Sequence, residues 1–331
     1  MMPLIMPTAA TLIPAILKLL IVLGLAGVLT GVLLAFLTTM VLLRPPRMSS
    51  GKGLAILHRL SPTDLGLAYE SVRFTVPDCR GGRPIRIPAW WMPHPAGSDR
   101  CVLILHGFGD AKVGAIAWAP LLQCLGFNVL ALDLRAHGEN LDGFSTAGFD
   151  ERFDISQILD QLKIDHPEHT RQIVLFGVSL GAAVVATVAA MRQDIAAVVL
   201  ECPYADFRHA VRLHVNSFGV PGRLIPKLAL WMCQAIARID YAQVRPVDMI
   251  EQIRCPLLVV QASDDPFLTD ADHRAVEDAV RRRPPDFAPG EVWNMPDCFH
   301  VLGLAEYPDE YRRRLDTFLS QINQNAQSQN S

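Results

Sequence analysis

Residues 175–183 have the sequence LFGVSLGAA, which places Ser179 between Gly177 and Gly181. The apolar run 173–176 before the serine is typical of a buried strand, and the alanine-rich run after it is typical of a helix. Two small glycines permit a sharp strand-to-helix turn, where a serine is exposed beside the free N–H groups of the helix start. Ser179 is therefore a candidate nucleophile. The alternative is a small structural residue at an ordinary strand-to-helix junction.

Strands and helices are predicted to alternate along most of the chain. Strand-like runs lie at 72–76, 85–91, 102–105, 127–133, 172–176, 196–200, 256–261 and 291–294. Helix-like stretches lie near 113–125, 154–165, 180–193, 270–281 and 307–322. Several strands are continuously apolar, as expected for strands covered on both faces. The pattern predicts an α/β fold with a mostly parallel eight-stranded sheet and helices on both faces.

Residues 203–250 fit this alternation less simply. The stretch contains one or two helices interrupted by Pro221 and Pro226. We expect a small helical cap inserted over the strand ends, and the alternative is one long ordinary crossover.

Two later loops supply candidate partners for Ser179. Asp264 and Asp265 follow one predicted strand, and His300 follows the next. Nucleophile, acid and histidine in this chain order are expected of a nucleophile elbow. His300 would accept the hydroxyl proton, and an aspartate would hold the histidine tautomer and stabilise the imidazolium. Asp265, Asp264 and Glu201, at an earlier strand end, are the candidate acids.

An oxyanion hole is predicted upstream, where LILHGFGD (103–110) ends another strand in a tight turn. The backbone amides of Phe108 and Leu180 could both face the serine. Losing one such donor typically costs about 10²–10³ in rate. His106 and His137 lie in turns beside this site, and we expect them to be structural.

From about residue 70 to 320 the chain resembles the α/β-hydrolase family. The resemblance rests on HGFGD (106–110), LDLRAHGEN (132–140), GVSLG (177–181), ASDDPF (262–267) and CFH (298–300). It implies a Ser-Asp-His triad. In the family the acid usually stands three residues after a small residue that follows the strand. Here that residue is Ala262, and the count selects Asp265, with Ser179 and His300 as the other members.

Residues 19–43 contain no charged side chain. As a helix they would span about 37 Å, longer than a bilayer core of about 30 Å. We expect a membrane anchor rather than a buried core helix or a cleaved signal peptide. The first cation is Lys18, and no A-x-A-like cleavage site ends the run. The anchor and the pattern at 241–261 resemble the membrane-attached, esterase- or peptidase-like branch of the family.

The predicted organisation is an anchor and linker at 1–48, a hydrolase domain at 49–322 and a polar tail at 323–331. A flexible linker is expected within 44–53. Four cations follow the span and Lys18 precedes it; the four are Arg44, Arg47, Lys52 and Arg59. The positive-inside rule then predicts a single-pass protein whose hydrolase domain is cytoplasmic.

Composition narrows the function classes. The formal net charge is −3, which does not favour a nucleic-acid partner. The seven cysteines are scattered without a C-x-x-C pair, which is typical of reduced thiols and not of a zinc site. We therefore expect neither a metal nor an organic cofactor.

The leading prediction is a serine hydrolase that cleaves an ester, thioester or amide through an acyl-enzyme intermediate. Its substrate would be a small-molecule or lipid ester. A serine peptidase or an acyltransferase could use the same triad. A catalytically silent, membrane-tethered binding protein is the alternative outside enzymes. The sequence leaves the oligomeric state open.

Overall fold

The computed structural model describes residues 9–217 and 223–328, with side chains at 13–215 and 223–322. Within these residues eight strands form one sheet, which confirms the predicted fold. The strands are β1 (Glu70–Val76), β2 (Ile85–Met92), β3 (Arg100–Leu105), β4 (Asn128–Leu132), β5 (Gln172–Val178), β6 (Ala197–Glu201), β7 (Leu257–Ala262) and β8 (Gly290–Met295).

The strand order is β1-β2-β4-β3-β5-β6-β7-β8. Strand β2 is antiparallel to both of its neighbours, and the pairs from β4 to β8 are parallel. The sheet is thus mixed at one edge and parallel elsewhere. Because the carboxyl ends of the parallel strands share one edge, the loops after β3, β5, β7 and β8 meet there.

Helices precede the first strand, connect the parallel strands from β3 to β8 and follow the last strand. They are α1 (Ala9–Leu43), α2 (Ser50–Lys52), α3 (Lys112–Ala115), α4 (Ala119–Cys124), α5 (Glu151–Asp165), α6 (Leu180–Met191), α7 (Phe207–Ser217), α8 (Leu224–Ala237), α9 (Pro246–Ile250), α10 (Asp270–Arg281), α11 (Gly303–Glu306) and α12 (Pro308–Ser328).

The single helix expected near 113–125 is divided into α3, a 3-10 turn at Ile116–Trp118 and α4. Pro120 explains the division, because it has no N–H to donate to the carbonyl four residues earlier. The last helix, α12, continues to Ser328, past the predicted domain boundary at 322, and residues 329–331 lie outside the described part of the chain.

The central strands are buried on both faces. In β3, Leu103 and Leu105 face one apolar cluster, while Val102 and Ile104 face the other. Helix α6 follows β5 and is buried from Leu180 to Ala189. Its alanines and valines let it pack closely on the sheet, which fixes the position of the residue that precedes it.

The N-terminal helix has two parts with different surroundings. Residues 13–30 are exposed on all sides, and Ile13–Leu43 is long and apolar enough to cross a membrane, with a mean hydropathy of 2.7. In the last turns Ala35, Thr39 and Leu43 are fully buried. The Thr39 hydroxyl lies 3.2 Å from the carbonyl oxygen of Ala229 in α8. The end of α1 therefore packs into the domain that contains the sheet.

The domain boundary expected at residue 48 and the flexible linker expected at 44–53 lie in a segment that contacts the domain. Residues 50–57 are helical, first as α2 and then as a π-helical turn. The Leu43 carbonyl accepts a hydrogen bond of 2.9 Å from the Ser145 amide. Just beyond the expected linker, Arg59 Nε donates to the carbonyl of Val113 at 2.9 Å. The segment between anchor and sheet is packed against the domain rather than separate from it.

Candidate active site

Ser179 lies on a strained turn between β5 and α6. Its φ of 52° and ψ of −111° are unusual for a residue with a side chain. A Cβ atom at Gly177 would lie 2.3 Å from the Gly181 carbonyl oxygen, and one at Gly181 would lie 2.3 Å from that of Leu105. Only glycine fits either position, so the two glycines around the serine are required by the close approach of the backbone.

The turn after β3 lies directly against the serine. A Cβ atom at Gly107 would lie 3.4 Å from Ser179 Cβ and 3.9 Å from its Oγ. On the other side, the Ser179 amide donates to the Glu201 carbonyl oxygen at 2.8 Å. These contacts hold the hydroxyl at the carboxyl edge of the sheet.

The structure brings Ser179, His300 and Asp265 into one hydrogen-bonded line. Ser179 Oγ lies 3.0 Å from His300 Nε2, and His300 Nδ1 is hydrogen-bonded to Asp265 Oδ2. The Asp265 side chain is fully buried, and its other oxygen accepts from the Phe267 amide at 2.8 Å. A carboxylate at Nδ1 selects the tautomer in which Nε2 can accept the hydroxyl proton.

The loops after β7 and β8 are joined to each other, which explains how the acid and the histidine meet. The Asp264 amide donates to the Cys298 carbonyl at 3.0 Å, and the Ser263 amide donates to that of Met295 at 3.0 Å. The two loops therefore form one layer, with Asp265 directed inward to His300.

The other candidate acids have different contacts. Asp264 is exposed, and its Oδ1 lies 3.3 Å from Ser263 Oγ. Glu201 is fully buried and accepts a hydrogen bond from the Tyr311 hydroxyl. Burial raises the pKa of Glu201 to about 8, against a smaller lowering by the Tyr311 hydrogen bond. Of the three acids considered from the sequence, Asp265 is the one hydrogen-bonded to His300.

The predicted oxyanion donors border the serine. Leu180 is the first residue of α6, where the N–H groups have no partner within the helix. Phe108 follows Gly107, and its ring packs edge-on to His137 with centroids 5.9 Å apart. Both residues line the same cavity as Ser179, and the role of their amides remains a prediction.

His106 and His137 support this turn from behind. The His106 ring is buried, with Nδ1 2.8 Å from the Gly107 carbonyl and Nε2 accepting from the Leu134 amide at 3.1 Å. Burial lowers the pKa of His106 to about 4 and that of His137 to about 3, so both rings are neutral at physiological pH. Their contacts are those of the structural residues expected from the sequence.

A cavity of about 300 Å³ opens at Ser179. Helices α1 and α7 and the β3 turn line it with mainly apolar side chains. The lining residues are Leu34, Leu37, Thr38, Val41, Leu42, Phe108, Ser179, Leu180, Tyr204, Phe207, Ala210, Val211, His214 and Val215. Helix α7 lies in the region expected to form the cap.

Sequence reasoning missed two components of this cavity. His214 belongs to no motif of the sequence, but its ring lines the cavity and stacks on Phe267 with centroids 4.1 Å apart. Burial lowers its pKa, as does the nearby His300. Sequence reasoning also treated α1 as an anchor alone. When a whole helix is apolar, its sequence has no hydrophobic periodicity, so the face that lines a site cannot be identified from the sequence.

One group of potential metal ligands occurs among the described residues: Cys202, Asp265 and His300, whose ligand atoms lie within 4.8 Å of one another. Burial raises the pKa of Cys202 well above its usual value, so the thiol stays protonated. Asp265 and His300 are already bonded to each other, and His300 to Ser179. This donor set suits proton transfer better than metal binding.

A family model described as serine aminopeptidase, S33, matches residues 96–245. The uncharacterised protein YqkD of Bacillus subtilis is 21% identical over 236 residues, which cover 70% of this chain and 75% of that protein. Lysophosphatidylserine lipase ABHD12 of Macaca fascicularis is 25% identical over 229 residues. That match covers 62% of this chain and 55% of the lipase, so the chain spans about half of the lipase's length.

Among solved structures, the esterase Pf2001 of Pyrococcus furiosus superposes with a TM-score of 0.67 at 22% sequence identity. The superposition covers 84% of this chain and 99% of the esterase. The sheet order, the elbow and this superposition show that the chain has the α/β-hydrolase fold. Within that fold it is similar in sequence to the lipase and in structure to the esterase.

Proposed function

We propose that this protein is a membrane-anchored serine hydrolase that cleaves a carboxylic ester through an acyl-Ser179 intermediate. The observation that carries the proposal is the Ser179 Oγ to His300 Nε2 distance of 3.0 Å, with Asp265 bonded to the other ring nitrogen. This is the geometry that general-base activation of a serine requires.

In the acylation step, Ser179 Oγ attacks the carbonyl carbon of the ester while His300 Nε2 takes the hydroxyl proton. The carbonyl oxygen becomes an oxyanion, which the Phe108 and Leu180 amides would stabilise. When the tetrahedral intermediate collapses, the bond to the leaving oxygen breaks. His300 gives its proton to that oxygen, and an alcohol leaves.

Deacylation repeats these transfers with water as the nucleophile. His300 takes a proton from water, and the resulting hydroxide attacks the acyl-serine carbonyl carbon. The bond to Ser179 Oγ then breaks, and His300 returns the proton to it. A carboxylic acid is released and the free enzyme is restored. Asp265 stabilises the imidazolium through its hydrogen bond to Nδ1.

The cavity favours an ester with an apolar acyl group. Among the described side chains that line it, Thr38, Ser179, Tyr204 and His214 are the polar ones, and none is an acid. The similarity to a lysophosphatidylserine lipase and to an esterase agrees with this preference.

An aminopeptidase is the second candidate, because the matching family model has that description. Such an enzyme needs a carboxylate to bind the substrate's α-ammonium group. Asp110 lines a second cavity of about 390 Å³ that borders His300, and its buried Oδ1 has no hydrogen-bond partner among the described residues. Burial raises the pKa of Asp110 to about 6.

Hydrolysis assays separate the two candidates. We expect the purified protein to hydrolyse p-nitrophenyl esters, and Ser179→Ala to reduce the rate at least about 10³-fold. We expect little cleavage of aminoacyl p-nitroanilides. Faster turnover of the anilides, abolished by Asp110→Asn, would establish the aminopeptidase instead. A stable protein that cleaves neither substrate would support the silent binding protein.

The membrane anchor and its orientation are also part of the proposal. Residues 13–34 alone would span about 33 Å as a helix, enough for a bilayer core of about 30 Å. The hydrolase domain would be cytoplasmic. Cys79 and Cys124 are exposed thiols on that domain. A membrane-impermeant maleimide should label them only after the cells are opened, and labelling of intact cells would reverse the orientation.

A further inference from the structure

We propose that the last turns of α1 form one wall of the acyl-binding pocket, so that the membrane helix itself selects the acyl chain and receives it from the bilayer. The inference rests on the proposed function, because it names the part of the molecule that binds the acyl group of the Ser179 ester. It assigns α1 a role in substrate binding beyond anchoring.

Five side chains of α1 line the cavity that opens at Ser179. They are Leu34, Leu37, Thr38, Val41 and Leu42. The last four lie three, four, seven and eight residues after Leu34, which places all five on one face of the helix. This face covers about 12 Å at 1.5 Å per residue. The Thr38 hydroxyl is bonded to the Leu34 carbonyl at 2.8 Å, which satisfies it within the helix.

A second face of the same turns is fixed to the domain. Ala35 and Thr39 are fully buried, and Thr39 Oγ1 reaches the Ala229 carbonyl of α8 at 3.2 Å. Cys233 Sγ, also in α8, lies 3.9 Å from the Thr39 carbonyl. The α1 wall is therefore held in a defined position relative to Ser179, as a binding pocket requires.

The α1 wall also continues into the membrane-exposed part of the helix. Leu34, Leu37 and Val41 line the cavity and keep 36%, 51% and 45% of their surface exposed. If 13–34 spans the bilayer core, the cavity begins where the core ends. The pocket is then reached from the lipid side of the protein.

Helix α8, which packs on α1, presents apolar side chains on its outer surface. Leu224 and Trp231, one heptad apart, are 80% and 63% exposed. Tryptophan is enriched at membrane–water interfaces, and large exposed apolar patches mark binding surfaces. Immersion of this face would hold the mouth of the cavity at the interface. An acyl chain could then enter the pocket without crossing water. The occupant that this mainly apolar lining favours is the acyl chain of a lipid ester.

The test compares acyl-chain preference in variants of the full-length protein, reconstituted in phosphatidylcholine vesicles. The readout is the ratio of kcat/KM for p-nitrophenyl laurate to that for p-nitrophenyl butyrate. Leu37→Trp and Val41→Trp each place a larger side chain in the pocket beside the α1 wall, and we expect each to lower the ratio by about tenfold or more. Leu37→Ala enlarges the pocket and should shift the preference toward longer chains.

Leu29→Trp is the matched control, because Leu29 is 70% exposed on α1 and does not line the cavity. Its ratio should stay within twofold of the unaltered protein. If Leu37→Trp, Leu37→Ala and the control all hydrolysed esters with the same ratio, the acyl-pocket proposal would be wrong and the proposed hydrolase function would stand. If the unaltered protein hydrolysed no ester, the pocket and the proposed function would both fail.

Discussion

Ser179 Oγ lies 3.0 Å from His300 Nε2, although the two residues are 121 positions apart in the chain. They follow β5 and β8, which are separated in the sheet by β6 and β7. The loop after β8 must therefore extend back across two strand ends to reach the serine. The His300 ring is positioned by its hydrogen bonds to Asp265 at Nδ1 and to Ser179 at Nε2.

The acid can be identified by a matched pair of variants. Asp265→Asn removes the carboxylate bonded to His300 Nδ1, so that the tautomer with a free Nε2 lone pair is no longer favoured. We expect kcat to fall by about 10³–10⁴-fold. Asp264→Asn makes the same chemical change at the exposed neighbour, and activity should stay within about threefold. Steady-state kinetics of the two variants measure this difference. A larger loss of kcat in Asp264→Asn than in Asp265→Asn would identify Asp264 as the acid.

The elbow predicts a strong dependence of folding on Gly181. Gly181→Ala would place a methyl group 2.3 Å from the Leu105 carbonyl oxygen, which belongs to a central strand and has little room to move. We expect a loss of about 3 kcal/mol or more in the free energy of unfolding, or failure to fold. Gly51→Ala is the control, because a Cβ there meets nothing within 4 Å. A Gly181→Ala protein as stable as the control would contradict the strained elbow.

Glu201 predicts a specific pH dependence of stability. Burial raises its pKa to about 8, while the unfolded value is near 4.5. Between these values the unfolded chain has lost the proton and the folded protein keeps it, so this contribution to stability falls as pH rises.

Glu201→Gln cannot ionise and keeps an acceptor for the Tyr311 hydroxyl. From pH 6 to pH 9 the unaltered protein should lose about 3 kcal/mol relative to the variant. Denaturant titrations at both values measure the difference. Parallel pH profiles for the two proteins would show that Glu201 is ionised in the fold.

Two truncations test the attachment of α1. Removal of residues 1–33 keeps the buried turns, and the remaining domain should fold. Removal of residues 1–48 also deletes Leu42 and Leu43, which are buried in the main core. Each buried leucine contributes about 1.5–3 kcal/mol. We expect Tm to be lower by more than about 5 °C in the longer deletion. Equal Tm values for the two truncated proteins would show that the end of α1 does not stabilise the domain, as expected of an independent anchor.

Much of the fold follows from local sequence pattern. Each predicted strand is present. The central strands are continuously apolar, as expected for strands that helices cover on both faces. The elbow follows from Gly177 and Gly181, and the family resemblance selected the same aspartate that lies against His300. These features depend on residues close together in the chain or on the spacing of the triad acid that the family resemblance implies.

The features that escaped prediction depend on tertiary packing. A uniformly apolar helix gives no sign of which face packs, so the burial of Ala35 and Thr39 could not be predicted. His214 lies outside any motif and reaches the cavity only because α7 folds over the strand ends. The break before α4 follows from Pro120, a local feature of the sequence within the single helix expected near 113–125.

The central claim is that His300 and Asp265 activate Ser179 as a nucleophile. The most direct measurement is labelling of the full-length protein with a fluorophosphonate probe, followed by identification of the modified peptide. The account predicts a single adduct on Ser179, lost in Ser179→Ala and strongly slowed in His300→Ala. An intact fold with no adduct on Ser179, or unchanged labelling of His300→Ala, would contradict it.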